Sequence, residues 1–189
     1  MEPFTRLETL IQQRWSPRAM SGEAIEDHDL MTLFEAARLA PSSYNSQPWR
    51  FIFAKRNTNY WNGFFDLLVD FNKQWACHAA ALVLIASRKN FEHNQKYAPT
   101  HSFDTGAAWE NLALQACAMG YVVHGIAGFD YNKARSFLNI PDHFQIEAMC
   151  AIGKKGSLDQ LPEAMRKDEH RREKKPLDQI VAEGKWIFN

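Results

Sequence analysis

The feature that most constrains this chain is the apolar run Ala79–Ala86, AAALVLIA. It is much too short to cross a bilayer and has the length of a buried strand. With Ser87 it gives a strand over 80–87, and three further strands are expected at Trp49–Ala54, Tyr121–Val123 and Ile146–Ile152. The segments between them are helical in period. Leu7, Leu10 and Ile11 give a short amphipathic helix. Ser21-Gly22 starts a second one, which carries Ile25, Leu30, Leu33, Phe34 and Ala37 on one face and stops near Ala40, because Pro41 disfavours helix in the residue before it. A helix is expected over Asn57–Phe71, weakened at Asn62-Gly63, and another over Asn132–Leu138, before Pro141. Thr105–Met119 is rich in Ala and Leu nearly all round, which marks a central helix with Gly120 as its stop. Gly125–Gly128 reads as a tight turn, and the polar stretch 88–102 as a surface excursion or lid. No repeat and no linker between two cores is visible, so the reading is one α+β domain over residues 1–189.

Charge narrows the partners. Lys and Arg number 22 and so do Asp and Glu, a formal net charge of zero. A neutral chain has no global field to draw in nucleic acid or an anionic membrane, so any anion recognition must be local. Cys77, Cys117 and Cys150 lie far apart, form no CxxC pair and are odd in number, which indicates neither a disulfide framework nor zinc. That usage suits a reducing cytoplasm, and the opening Met-Glu-Pro-Phe-Thr-Arg has no signal-peptide pattern. Thirteen Phe and six Trp exceed what a core of this size can bury, so some should line a pocket or a subunit interface.

Two short motifs carry chemistry. In Arg14-x-Ser16-x-Arg18, alternate side chains of an extended segment point the same way, so two guanidiniums and a hydroxyl can converge on one phosphate. Hydrogen bonds to a charged group are worth about 1.5–3 kcal/mol each. Alone, the motif reads as two surface arginines, since such spacings occur often by chance. In Pro41-Ser-Ser-Tyr-Asn-Ser-Gln-Pro-Trp-Arg50, Asn45 and Gln47 each offer a donor and an acceptor, suited to the edge of an alloxazine ring. Alone, that segment is a turn between helix and strand.

Together and in this order, with Phe51 after the second motif, they resemble the nitroreductase family. The resemblance continues through Asn72, the Trp109–Ala116 helix, Gly125–Asp130, Ala151–Gly153 and Lys174-Lys-Pro-Leu-Asp-Gln-Ile-Val181. It implies a nitroreductase-like fold, with a central mixed or antiparallel sheet flanked by helices in an intertwined homodimer. It also implies FMN at the subunit interface, held by Arg14, Trp15, Ser16, Arg18, Pro41, Ser42, Ser43, Asn45, Gln47, Asn72, Ile126, Ala127, Gly128, Lys174 and Lys175, with Pro41–Gln47 arriving from the partner subunit. NADH or NADPH would reduce the flavin, and a nitroaromatic, a quinone or a related acceptor would reoxidise it from the same place, with no dedicated catalytic acid. The family also admits dehalogenation, enone or azoline redox, flavin fragmentation and flavin binding without turnover.

Four positions depart from the family pattern: Trp75, His124, Ala127 and Lys174. Elsewhere the residues read as ordinary. His93 and His101 fall in the polar excursion, the histidines lack metal spacing, Ser42 and Ser43 lack a nucleophile elbow, and Arg166–Lys175 reads as a solvated charged face.

Overall fold

The computed structural model describes residues 6–188; residues 1–5 and 189, which include most of the segment read above for a signal peptide, lie outside it. Helices α1 (Thr9–Gln13) and α2 (Asp27–Arg38) lead into β1 (Trp49–Lys55). Then come α3 (Trp61–Phe65), α4 (Asp70–Ala76), β2 (Ala81–Arg88), the long α5 (His101–Ala118), β3 (Tyr121–Ile126), α6 (Tyr131–Phe137), β4 (Phe144–Lys154) and α7 (Glu163–Arg166). Single 3₁₀ turns sit at Ser43–Asn45, Leu158–Gln160 and Leu177–Gln179.

The sheet runs β1-β2-β4-β3 and is antiparallel throughout. The apolar run is its centre. Leu82, Leu84 and Ala86 face a core built with Phe64, Trp75 and Met149, while Ala81, Val83 and Ile85 face a second core with Leu30, Leu33, Ala108 and Leu112. A strand buried on both faces needs no polar alternation, which explains the unbroken apolar sequence. Cys150 lies in the second core, where burial pushes its thiol up to about 12, so it is unionised near neutrality.

Several expectations need correction. Helix α2 starts at Asp27, not at Ser21-Gly22, because the chain first bonds along β4: Met20 bridges Lys155, and the Ser21 amide donates to the Lys154 carbonyl at 2.9 Å. The helix expected over 57–71 is two short ones. It breaks at 66–69 rather than at Gly63, because the backbone there turns to the segment after β3: Val69 N–H donates to Gly128 O at 3.1 Å, and Leu67 O accepts from Asp130 N–H at 2.8 Å. Tertiary hydrogen bonding overrides helix propensity at this point. Strand β3 continues through Gly125 and Ile126, so the Gly125–Gly128 turn shrinks to its last two residues. The excursion at 88–102 is pinned rather than free: Phe91 and Ala98 are buried, and Ala98 N–H donates to Lys89 O at 2.8 Å. His101 is buried at the first turn of α5, not on a surface loop.

Among the described residues no helix is long and apolar enough to cross a membrane, and no group of His, Cys, Asp or Glu could hold a metal ion.

Candidate functional site

Arg14 caps α1 in an extended conformation, and the chain from there to Arg18 forms one wall of a cleft of about 630 Å³. Arg14, Trp15, Ser16 and Arg18 line it with Glu110 of α5, His124 of β3 and the C-terminal segment Asp168–Arg172 and Lys174. The cleft therefore gathers five cations (Arg14, Arg18, Arg171, Arg172, Lys174) against three acids (Glu110, Asp168, Glu169). A chain with no net charge thus carries a local positive site, as the sequence requires for any anion recognition.

Three of these basic groups are positioned by their neighbours. Arg14 Nε pairs with Glu110 Oε1 at 3.0 Å, and its Nη1 donates to Ser16 Oγ at 3.4 Å. The Arg18 guanidinium lies 5.7 Å from the centre of the Phe71 ring. Glu169 Oε1 accepts the backbone N–H of Arg18 at 2.6 Å and of Ala19 at 2.8 Å, and the Arg171 guanidinium donates to the carbonyls of Gln12 and Gln13. The strap at 167–175 is thereby tied to the end of α1 and to the end of the first motif. The sequence reading missed Glu169, Arg171 and Arg172 because they sit in a run of both charge signs that carries no local signal.

Two of the departures from the family pattern explain one another. The rings of Trp75 and His124 pack 4.7 Å apart, and His124 Nδ1 bonds the Pro17 carbonyl inside the first motif at 3.2 Å. Trp75 Nε1 donates to Asn72 Oδ1 at 3.2 Å, and Asn72 Nδ2 donates to Gly128 O at 2.9 Å. A continuous chain thus joins the basic cleft to the turn after β3. Burial, with Arg18 nearby, lowers the pKa of His124 against the opposing pull of its backbone partners and Glu169. A Cβ at 128 would meet Asn72 Nδ2 at 2.6 Å, so a larger residue there would push the Asn72 amide off the Gly128 carbonyl.

The other expected residues fall elsewhere. Ile126 and Ala127 line a second pocket, of about 400 Å³, between the end of β3, β4 and α5; the Ile126 side chain is buried, while Ala127 is exposed. Asn45 and Gln47 line a third recess, of about 390 Å³, with Arg50, Glu92 and His93. Ser42 Oγ accepts the Gln47 N–H at 3.0 Å, and Ser43 N–H donates to Asp104 Oδ2 at 3.1 Å. Tyr44, Asn45 and Gln47 all have left-handed φ, of 52°, 53° and 47°. Such strained non-glycine backbone collects at functional loops. Pro41, Ser42, Ser43, Asn45, Gln47 and Lys175 are not among the residues lining the basic cleft of their own chain.

A central antiparallel sheet between two cores, with a basic cleft of cofactor size at its edge, defines the class. The chain belongs to the nitroreductase family, whose model matches residues 11–61 and 54–154. Its whole length superposes on the crystal structure of an oxidoreductase containing FMN, with TM-score 0.94 and 36% identity over 100% of this chain and 96% of that one. A structure provisionally named a nitroreductase, in complex with FMN, from Desulfovibrio desulfuricans shares the fold at TM-score 0.73 and 22% identity, covering 94% and 95% of the two chains. A relative in Archaeoglobus fulgidus with the provisional name NADH dehydrogenase/NAD(P)H nitroreductase is 29% identical over 150 residues, 76% of this chain and 82% of that one.

Proposed function

We propose that this chain is an FMN-dependent oxidoreductase that takes electrons from NADH or NADPH and passes them to nitroaromatics, quinones or related acceptors in a ping-pong cycle. The carrying observation is the basic cleft, joined through His124, Trp75 and Asn72 to the turn at Ala127-Gly128. Its donor set suits a phosphomonoester at one end and a polar ring edge at the other. Its volume of about 630 Å³ lies within the range of cofactor sites, roughly 300–1,000 Å³. FMN, when bound, supplies a two-electron centre that accepts hydride from a nicotinamide and yields it to the acceptor.

The residues do the rest. Arg14, Arg18 and Lys174, joined by Arg171 and Arg172, neutralise the phosphate, and Ser16 adds a hydroxyl. Asn72 fixes the Gly128 carbonyl and so the backbone that faces the ring. Backbone donors there and the nearby cations favour negative charge on the reduced ring.

Asn45 and Gln47 belong in this reading to the partner subunit's contribution in a homodimer. Their placement in a separate recess of their own chain supports that assignment, as does the outward presentation of Tyr44, 84% exposed. Nothing in the composition calls for nucleic acid or a membrane, and the cytoplasm suits three free thiols.

The purified protein should be yellow and should oxidise NADH or NADPH with menadione or a nitrofuran as acceptor. Replacing both Arg14 and Arg18 by Ala should give a colourless protein of lower stability. A double variant that purified with full FMN content would overturn the assignment.

A further inference from the structure

A polar chain enters the apolar pocket beside Ala127, and the proposed cycle leaves it unused. Ile85, Trp109, Ile126 and Ala148 supply the apolar part of that pocket, and Glu147 and Ser102 reach its lining from β4 and α5. Behind Glu147 lie two fully or nearly buried polar side chains, Ser87 and His101, at 0% and 6% exposure. Ser87 Oγ donates to Glu147 Oε1 and lies 2.7 Å from His101 Nδ1. Ser102 Oγ donates to the same carboxylate oxygen at 2.7 Å and lies 3.3 Å from His101 Nδ1, giving a second hydroxyl bridge between the two. On its far side His101 Nε2 is 3.4 Å from the hydroxyl of Tyr97, a residue 61% exposed. The series Tyr97, His101, Ser87, Glu147 therefore runs from solvent, through the protein, to the pocket, and the exposed Ser102 bridges His101 and Glu147 beside it.

A purely structural network needs neither a carboxyl group at an apolar pocket nor an outlet at a solvated phenol. We propose that this series is a proton relay and that Glu147 is the acid that protonates a quinone-type acceptor bound in the Trp109–Ile126 pocket. The inference rests on the oxidoreductase reading above. Reducing a quinone to a hydroquinone takes one hydride and one proton. The hydride, with both electrons, comes from the reduced cofactor, whose own reductant is the nicotinamide nucleotide. The proton comes from the Glu147 carboxyl: its O–H bond breaks as the O–H bond of the hydroquinone forms. The resulting carboxylate takes a proton from a bridging serine, the serine takes one from His101 Nδ1, and His101 regains one at Nε2 through Tyr97 from water. The protein ends with its starting number of protons, His101 now carrying its proton at Nε2, and the return of the ring to the Nδ1–H tautomer completes the cycle; no further oxidant or reductant is required.

The test compares wild type, Glu147→Gln and Tyr97→Phe as FMN-loaded enzymes, by stopped-flow of the two half-reactions and by ligand binding. Wild type should be yellow and bleached by NADH or NADPH. Glu147→Gln should keep its flavin, its rate of reduction by the nucleotide and its reoxidation by ferricyanide, which takes electrons without protons, each within about 2-fold of wild type. Its reoxidation by menadione should slow about 100-fold, the lower end of what general acids contribute, and Tyr97→Phe should slow the same step about 3- to 10-fold. Menadione binding to the oxidised protein, read from quenching of tryptophan fluorescence, should change less than 3-fold in Glu147→Gln, because the amide still donates a hydrogen bond. Menadione reoxidation at the wild-type rate in Glu147→Gln, or equal slowing with ferricyanide, would overturn the relay and leave the oxidoreductase reading standing. A colourless wild type, or one that the nucleotides do not bleach, would overturn both.

Discussion

Glu169 shows how one side chain organises the candidate cofactor cleft. It accepts two backbone amides at the end of the first motif, those of Arg18 and the following Ala19, and so fixes the segment that aims Arg14, Ser16 and Arg18. Replacing it by Ala removes two charge-assisted hydrogen bonds and should cost about 1–3 kcal/mol in stability by urea denaturation. FMN retention should fall with it, and Glu169→Gln should recover part of both; an unchanged midpoint in the Ala variant would rule out this role. His124 gives a pH signature. Burial lowers its pKa from the ordinary 6.5, so below that value the unfolded chain binds the proton more readily than the folded one. The contribution of His124 is then fully present above the unfolded pKa and is lost as pH falls through the folded one. The melting temperature should therefore drop on acidification from about pH 7 to about pH 5, and the drop should be smaller in His124→Asn. An identical drop in both proteins would remove His124 as its source.

At the level of elements, the parts legible in the sequence are those fixed by local physics. The Ala79–Ala86 run could only be a buried strand, and β2 begins and ends within a residue of the span expected from 80–87. Gly120 follows α5 with φ of 76° and open space around its Cα, so its role as a helix stop was readable from its lack of a side chain. Gly120→Ala should destabilise by about 1 kcal/mol through backbone strain alone, with Gly120→Asn milder, in a denaturation series. Equal stability of the Ala variant and wild type would contradict that account. What the sequence hid is held by distant partners. The sequence starts α5 four residues late, at Thr105, because His101 and Asp104 look like loop residues and their bonds to Ser87 and Ser43 hold them in the helix. The break at 66–69 arises from pairing with 128–130, far along the chain. The two motifs were found from their order and company. Their separation within one chain, and the arginines of the strap, could not be found that way.

At the scale of the whole molecule, several large apolar side chains stand in solvent on the single chain. Leu39, Phe103, Trp186 and Ile187 are each at least 67% exposed, and among the described residues the C-terminal segment after α7 contributes no strand and no long helix of its own. In the proposed homodimer these side chains are covered, and sedimentation should show a dimer that dilution does not readily part into folded monomer. A folded monomer that retained FMN would count against the shared site. The strap that closes the basic cleft also has a meaning for handling the protein. Lys167, Arg171, Arg172 and Lys174 are all exposed on it, and among the described residues Glu169 ties it to Arg18 and Ala19 and Arg171 ties it to the end of α1. It is the segment a trypsin-like protease should reach first, and a nick there would leave the four-stranded sheet intact. Loss of cofactor should then precede loss of fold, so the clipping rate at 167–174, slowed by added FMN, would serve as a simple gauge of how fully the cleft is loaded.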